Sequence, residues 1–394
     1  MKRIVSIFMV MSLAVSAWAQ CDGRYESEIF DDVEVTTVVY SDVYDLDVDI
    51  YEPVGDTETS RPLILFAHGG SFYGGTPSAP AMISLCEAFA KRGYVTASIQ
   101  YRLTTAVSLT DSIVMLQTVM NAIGDSKAAV RYFRKDVAEN GNTFGVDADQ
   151  IYFGGYSAGA IMAVNHAFID ETDVLPTHLV DIVAEAGGLE GNSGNEGYSS
   201  EVKAVISLAG GVYQTSFIDA DDEPIVSLHA TNDGTVDYLC GDVMQSGVGG
   251  IIDMVNLCGS GSVHNQADAV GVYNELHTFS SGDHSAPWTN MEQVSIPFIS
   301  DFIYTTLDCY EGVISVEEEA LAVEVFPNPV SDMLTVNMID MESVCLLDVM
   351  GRVVLSESAR NNTHQLNVQG LASGVYVLQV ASENHLWNQR LFVK

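Results

Sequence analysis

Short apolar runs separated by longer stretches of helical spacing occupy the chain from about residue 60 to residue 306. Residues 63–67, 94–99, 150–153, 204–208 and 224–228 are such runs. They lack apolar–polar alternation, as expected of parallel strands covered on both faces. Between and after them, residues 81–91, Ser112–Glu139, Ala158–Phe168 and 264–273 place apolar side chains at helical spacing, and a last helix is predicted over 291–306. Strands alternating with helices predict an α/β fold, a mostly parallel sheet flanked by helices. Ahead of this region, residues 34–51 alternate one by one and predict antiparallel strands. The Asp45-Leu46-Asp47-Val48-Asp49 piece lacks the glycine and terminal glutamate of a calcium loop and fits the strand instead. Residues 170–200 show no clear period, are rich in Gly, Asn and Glu, and predict an insertion above the sheet.

Beyond Glu317-Glu318-Glu319 the pattern changes. Residues 334–336, 344–347, 353–355 and 374–378 alternate in short segments with no helical signal, which predicts a small all-β sandwich. At the other end, Lys2 and Arg3 precede an apolar run over 4–15 and the small-x-small site Ala17-Trp18-Ala19. That is the layout of a secretory signal peptide. The predicted organisation is a signal peptide at 1–19, a first domain at 20–310, an acidic linker at 311–325 and a second domain at 326–394.

Composition narrows the partners. The 16 Lys and Arg against 53 Asp and Glu give a formal charge of −37 over 394 residues. Such a surface repels phosphate backbones, so no nucleic-acid partner is expected. In an exported chain the six cysteines can pair. Cys240 with Cys258, flanking a Gly-rich loop, and Cys21 with Cys309, tying the ends of the first domain, are the expected bridges, although spacing alone leaves connectivity open. No CxxC spacing or zinc pattern occurs, and neither metal nor cofactor is expected.

The candidate chemistry centres on Gly155-Tyr156-Ser157-Ala158-Gly159, directly after a predicted strand and before a predicted helix. A tight strand-to-helix turn projects a serine oxygen into a cleft, and the glycines leave room for that turn. The hydroxyl needs a base to become a nucleophile. Upstream, His68-Gly69-Gly70-Ser71-Phe72 follows another strand, and its backbone N–H groups, with that of Ala158, suit an oxyanion. His68 itself is expected to shape this loop. Asp233 follows the strand at 224–228 and is the expected acid, with Asp237 as its rival. His284, in a loop before the last helix, is the expected base, giving the chain order Ser, Asp, His. His166, His229 and His277 are expected to be structural.

On the stretches HGGSF, Asp125-Ser126-Lys127-Ala128-Ala129-Val130-Arg131-Tyr132, GYSAG and HATNDGTVDY, residues from about 45 to 305 resemble the α/β-hydrolase superfamily, on its carboxylesterase and hormone-sensitive-lipase side. The resemblance implies an α/β-hydrolase fold and assigns Gly70 and Ser71 as oxyanion donors. Ser71 stands where a further glycine is usual, and Asp237 where a proline is usual. Residues 326–394 resemble the C-terminal sorting domain of the type IX secretion system, on Phe326-Pro327-Asn328-Pro329, Val349-Met350-Gly351-Arg352-Val353-Val354, Leu371-Ala372-Ser373-Gly374-Val375-Tyr376 and Leu391-Phe392-Val393-Lys394. That implies the type IX machinery as a partner and a secreted or outer-surface location. Together these imply a secreted serine carboxylic-ester hydrolase with Ser157, Asp233 and His284 as catalytic residues. The alternatives are a serine exopeptidase on the same fold and an inactive adhesion module. Aryl esters, acylated glycans and short or medium acyl esters remain open as substrates, in a pocket expected from residues 170–200 and 240–265.

Overall fold

The computed structural model describes residues 21, 23–107, 111–242, 255–309, 323–338, 341–347, 352–359, 362–382 and 386–394. The predicted signal peptide and most of the predicted linker lie outside the described residues. The chain divides into two units, 1–311 and 312–394.

The first unit is built on β1 (Val33–Ser41), β2 (Leu46–Pro53), β3 (Arg61–Ala67), β4 (Val95–Ile99), β5 (Val146–Tyr156), β6 (Val205–Leu208), β8 (Ile225–Ala230) and β11 (Asn274–Phe279). They form one sheet in the order β1-β2-β4-β3-β5-β6-β8-β11. From β4 to β11 every pair is parallel, while β1 with β2 and β2 with β4 are antiparallel. The chain runs from β3 outward to β4 and then returns to β5 on the other side of β3, so the strand order switches between β3 and β5. Crevices at the carboxyl ends of strands at such a switch are where ligands bind in open α/β sheets.

Alternation along β3 shows how the sheet is covered. Leu63, Leu65 and Ala67 enter one core with residues of α2 (Ser112–Glu139), α3 (Ala158–Phe168) and α4 (Thr177–Glu185). Ile64 and Phe66 enter the other, with α1 (Pro80–Ala90) and the last helix of this unit, Ile296–Thr306. A strand buried on both faces has no reason to alternate in polarity, which is why its sequence is continuously apolar. α2 starts on Asp111, whose carboxylate accepts from the N–H groups of Ile113 and Val114. Its buried Asp125 pairs with Arg102 and accepts from Ser193, while Lys127 and Arg131 both reach Glu190. These bonds clamp the loop after α4 to α2.

Two elements differ from prediction. Helix α4 lies within the 170–200 stretch that shows no period, with Leu179, Ile182 and Val183 buried. Nine residues give too few turns for a repeat to stand out from loop sequence on both sides. The helix expected over 264–273 is α5 (Ser260–Val270), stopped by left-handed Gly271 before edge strand β11. The small sheet β7 (Gly211–Val212), β10 (Asn256–Gly259) and β9 (Cys240–Asp242) faces Cys258 directly against Cys240, and these two form a disulfide. Cys21 and Cys309 form the other, joining residues 288 apart.

The second unit has antiparallel strands β12 (Glu324–Phe326), β13 (Met333–Asn337), β14 (Met341–Leu347), β15 (Val353–Ser358), β16 (Thr363–Asn367), β17 (Gly374–Ser382) and β18 (Leu386–Val393). They make two sheets, β12-β13-β16 and β15-β14-β17-β18. Leu334 and Val336 from one and Val344, Leu346, Leu378 and Val380 from the other share a single core. The spacing of two between those residues is the pleat of a half-buried strand.

Candidate active site

Ser157 sits in the turn between β5 and α3, with φ 57° and ψ −118°. A non-glycine residue in that region is strained and persists only where its surroundings hold it. Here they do. The Ser157 N–H donates to the Leu208 carbonyl at 2.9 Å, and Ile161 N–H returns to the Ser157 carbonyl at 2.9 Å. A Cβ on Gly159 would lie 2.0 Å from the Ala67 carbonyl oxygen, and one on Gly155 would lie 2.5 Å from the same atom. The flanking glycines therefore let β3 and the serine turn approach.

The loop after β3 packs against this turn. Gly70 has φ 125° and a Cβ there would meet the Gly74 carbonyl at 2.1 Å, while Ser71 and Phe72 also have positive φ. The Gly70 carbonyl accepts from Tyr73 and Gly74. The N–H groups of Gly70 and Ser71 have no acceptor among the described residues, and Ala158 N–H, first in its helix, has no intrahelical one. His68 is fully buried, its ring stacked on Tyr101 and bonded to the Gly69 carbonyl and Gln100. Burial lowers its pKa.

His284 Nε2 lies 2.8 Å from Ser157 Oγ, and its Nδ1 lies 2.7 Å from Asp233 Oδ2. A carboxylate only accepts, so Nδ1 carries the proton, and Nε2 is left to accept from the serine hydroxyl. Asp233 also receives N–H bonds on Oδ1 from Thr235 at 2.8 Å and Val236 at 3.1 Å. Burial works against its ionisation, but hydrogen bonds from His229, His284 and Thr235 outweigh that and hold its carboxyl well below the usual carboxylate range. Asp237 turns elsewhere: its carboxylate lies against Gly241.

Two contacts were not foreseen. Tyr156 stacks on the His284 ring with centroids 5.5 Å apart and donates its hydroxyl to the His284 carbonyl. Its phenol is pushed up to about 12, by burial first and then by the charges of Asp233 and Asp283, so it stays a donor. His229, expected to be structural, is within 3.0 Å of Asp233 Oδ2. The two loops also hold each other, Gly234 N–H on the Asp283 carboxylate and Asp283 N–H on Asn232. By contrast, His166 bonds Ser126 and the Ser200 carbonyl, and His277 packs on Phe279 and Phe298.

An apolar cavity of about 40 Å³ opens beside the serine turn. Ile161, one helical turn after Ser157, and Phe72, next to Ser71, form part of its wall. The largest single share of the rest comes from α2, through Met115, Leu116, Val119, Met120 and Ile123. The segments expected to shape the pocket contribute only Leu179, Val255 and Leu257, because the amphipathic start of α2 turns its apolar side inward here. Residues 243–254 lie outside the described residues.

Comparison with known proteins agrees with this architecture. Residues 48–213 match the BD-FAE family, and residues 324–394 match the secretion system C-terminal sorting domain. No curated protein matches the chain. Among solved structures, esterase Est2 of the Planctomycetes species Thermogutta terrifontis in its propionate-bound form has a TM-score of 0.50 and 20% identity, over 68% of this chain and 93% of that one. Its butyrate-bound form gives the same figures. Thermogutta terrifontis esterase 2 phosphonylated by sarin also has a TM-score of 0.50 and 20% identity, over 69% of this chain and 94% of that one. Residues 48–213 thus fit an esterase-like α/β-hydrolase family model, on a fold shared with these esterases, and residues 324–394 fit a secretion-system C-terminal sorting-domain model.

Proposed function

We propose that the chain is an exported serine carboxylic-ester hydrolase. The observation that carries this reading is the unbroken run of short contacts from Ser157 Oγ through His284 to Asp233. In the proposed cycle the Ser157 oxygen attacks the acyl carbonyl while His284 Nε2 takes its proton. The oxyanion receives N–H bonds from Gly70, Ser71 and Ala158. His284 then protonates the departing alcohol, and water repeats the sequence to release the acid. Asp233 keeps the imidazole in the tautomer with Nδ1–H and stabilises its charged form. The small apolar cavity next to the serine favours a short acyl group over a long one.

We assign residues 1–19 as signal peptide, 20–310 as catalytic domain, 311–325 as linker and 326–394 as the part recognised by the type IX machinery. The enzyme then acts outside the cell or on its outer surface. Ser157→Ala should abolish turnover of p-nitrophenyl acetate and labelling by a fluorophosphonate probe, with an unchanged melting temperature. Retained turnover would refute the assignment.

A further inference from the structure

The imidazole of His229 is fully buried at the end of β8, four residues before Asp233. Its two nitrogens face different chemistry. Nδ1 lies 2.9 Å from Ser260 Oγ and 3.3 Å from the Ser260 backbone N–H. A backbone N–H can only donate, so Nδ1 must be the unprotonated nitrogen. Nε2 lies 3.0 Å from Asp233 Oδ2 and 3.0 Å from the Val236 carbonyl oxygen, both acceptors. The proton is therefore on Nε2, and the ring is neutral. A charged ring would set an N–H on Nδ1 against the N–H of Ser260.

Asp233 Oδ2 thus accepts from two imidazoles, His229 Nε2–H and His284 Nδ1–H. Oδ1 is held by the Thr235 and Val236 N–H groups. Only His284 of these donors moves protons in the proposed cycle; the others are fixed. Together the fixed donors restrain the two side-chain torsions by which the carboxylate could turn away from His284. A buried carboxylate leaves its hydrogen-bonded orientation only at the full cost of an unpaired group.

The support behind His229 is itself anchored. Ser260 is the first residue of α5, and Cys258, two residues earlier, is bridged to Cys240 across β9 and β10. Gly259 between them packs so closely that a Cβ would meet the Asp237 carbonyl oxygen at 2.0 Å and His229 Cε1 at 3.1 Å. The Tyr238 ring closes the other side, edge-on to His229 at 5.7 Å.

Resting on the triad assignment above, we infer that His229 is a positioning residue, a neutral imidazole locked by Ser260 that aims Asp233 at His284. It touches no substrate and transfers no proton. Other charged or titratable groups around this point are His284, Tyr156, Asp237, Tyr238 and Asp283. Apart from His284, none of them donates to Asp233 Oδ2 among the described residues.

The test measures kcat and KM separately on p-nitrophenyl acetate for wild type, Ser157→Ala, His229→Leu, His229→Gln and Ser260→Ala. His229→Leu removes the donor and should lower kcat roughly 10- to 100-fold with KM nearly unchanged, because a loosely aimed base slows only the chemical step. His229→Gln keeps an N–H near the Nε2 position and should recover most of that loss, a rescue that mere space-filling would not give. Ser260→Ala frees Nδ1 of its hydroxyl partner and should lower kcat a few-fold, again at constant KM; it also serves if His229→Leu does not fold. Wild-type kcat in Ser260→Ala and in whichever His229 variants fold, with Ser157→Ala inactive, would overturn this inference alone. An active Ser157→Ala would instead bring down the triad assignment beneath it.

Discussion

Strand β8 has a carboxylate just beyond each end: Glu223 before Ile225 and Asp233 after Ala230. Burial disfavours the charge at both. At the carboxyl end, donors from His229, His284 and Thr235 converge on Asp233 and pull its pKa well down. At the amino end, burial pushes the Glu223 carboxyl up to about 7, and the neighbouring charges of Asp222 and Glu201 add to the rise. Asp222 is pushed up to about 7 as well, by burial and then by Asp219, Asp170 and Asp173. In a chain carrying −37, negative neighbours are the ordinary environment and focused donors the exception. The strand's amino end therefore behaves as an acidic surface would, and its carboxyl end holds an acid that stays ionised well below neutral pH. The lesson is that hydrogen-bond donors, not exposure, separate the two carboxylates.

The largest expected effect breaks the contrast at the end proposed to be catalytic. Asp233→Asn should lower kcat by about 10⁴, since an amide can present its N–H and hold His284 in the wrong tautomer. Asp237→Asn should leave kcat close to wild type. Steady-state kinetics on one aryl ester checks both, and the reverse order would make Asp237 the acid. Next in size is the support beneath that end. Cys240→Ser with Cys258→Ser opens a bridge of sequence separation 18 and should cost about 3 kcal/mol, read from urea unfolding.

The pH dependence sharpens the comparison further. Asp233 has a depressed folded pKa, so its contribution to stability is full above the ordinary carboxylate range, about 3.9, and is lost as pH falls through the folded value. Asp233→Asn should flatten that acid limb of the melting curve. Glu223 has the opposite sign: the fold prefers its neutral form, and stability falls as pH rises toward and through about 7. The smallest effect follows. Glu223→Gln should stabilise the protein at pH 8 by about 1 kcal/mol, discounted for partial exposure, and do nothing at pH 4. Calorimetric melting at both pH values measures it, and an equal change at both would remove the electrostatic explanation.

Much of the frame was readable from local pattern. The apolar runs of β3, β4 and β6 and the spacing of α2 and α3 survive as elements because burial on both faces, or along one stripe, leaves a mark in the sequence itself. The Gly155–Gly159 turn and Gly70 were readable for a similar reason, since backbone approaches of 2.0–2.5 Å to a would-be Cβ demand glycine. Helix α4 was not, being short and flanked by turns. His229 was not either: a buried histidine at a strand end has the same sequence signature whether it faces a carbonyl or a carboxylate.

The sequence by itself determined the layered α/β unit, the β-rich second unit and the residue types available for chemistry, because periodicity and steric demands at glycine act over a few residues. The tertiary structure alone decided which nitrogen of His284 and of His229 carries the proton, that Asp233 and not Asp237 faces His284, and that α2 lines the cavity. Those outcomes depend on donors and walls brought together from positions tens to more than a hundred residues apart, and only the closed packing of β5, β8, α2 and the 283–285 turn puts them within hydrogen-bond reach.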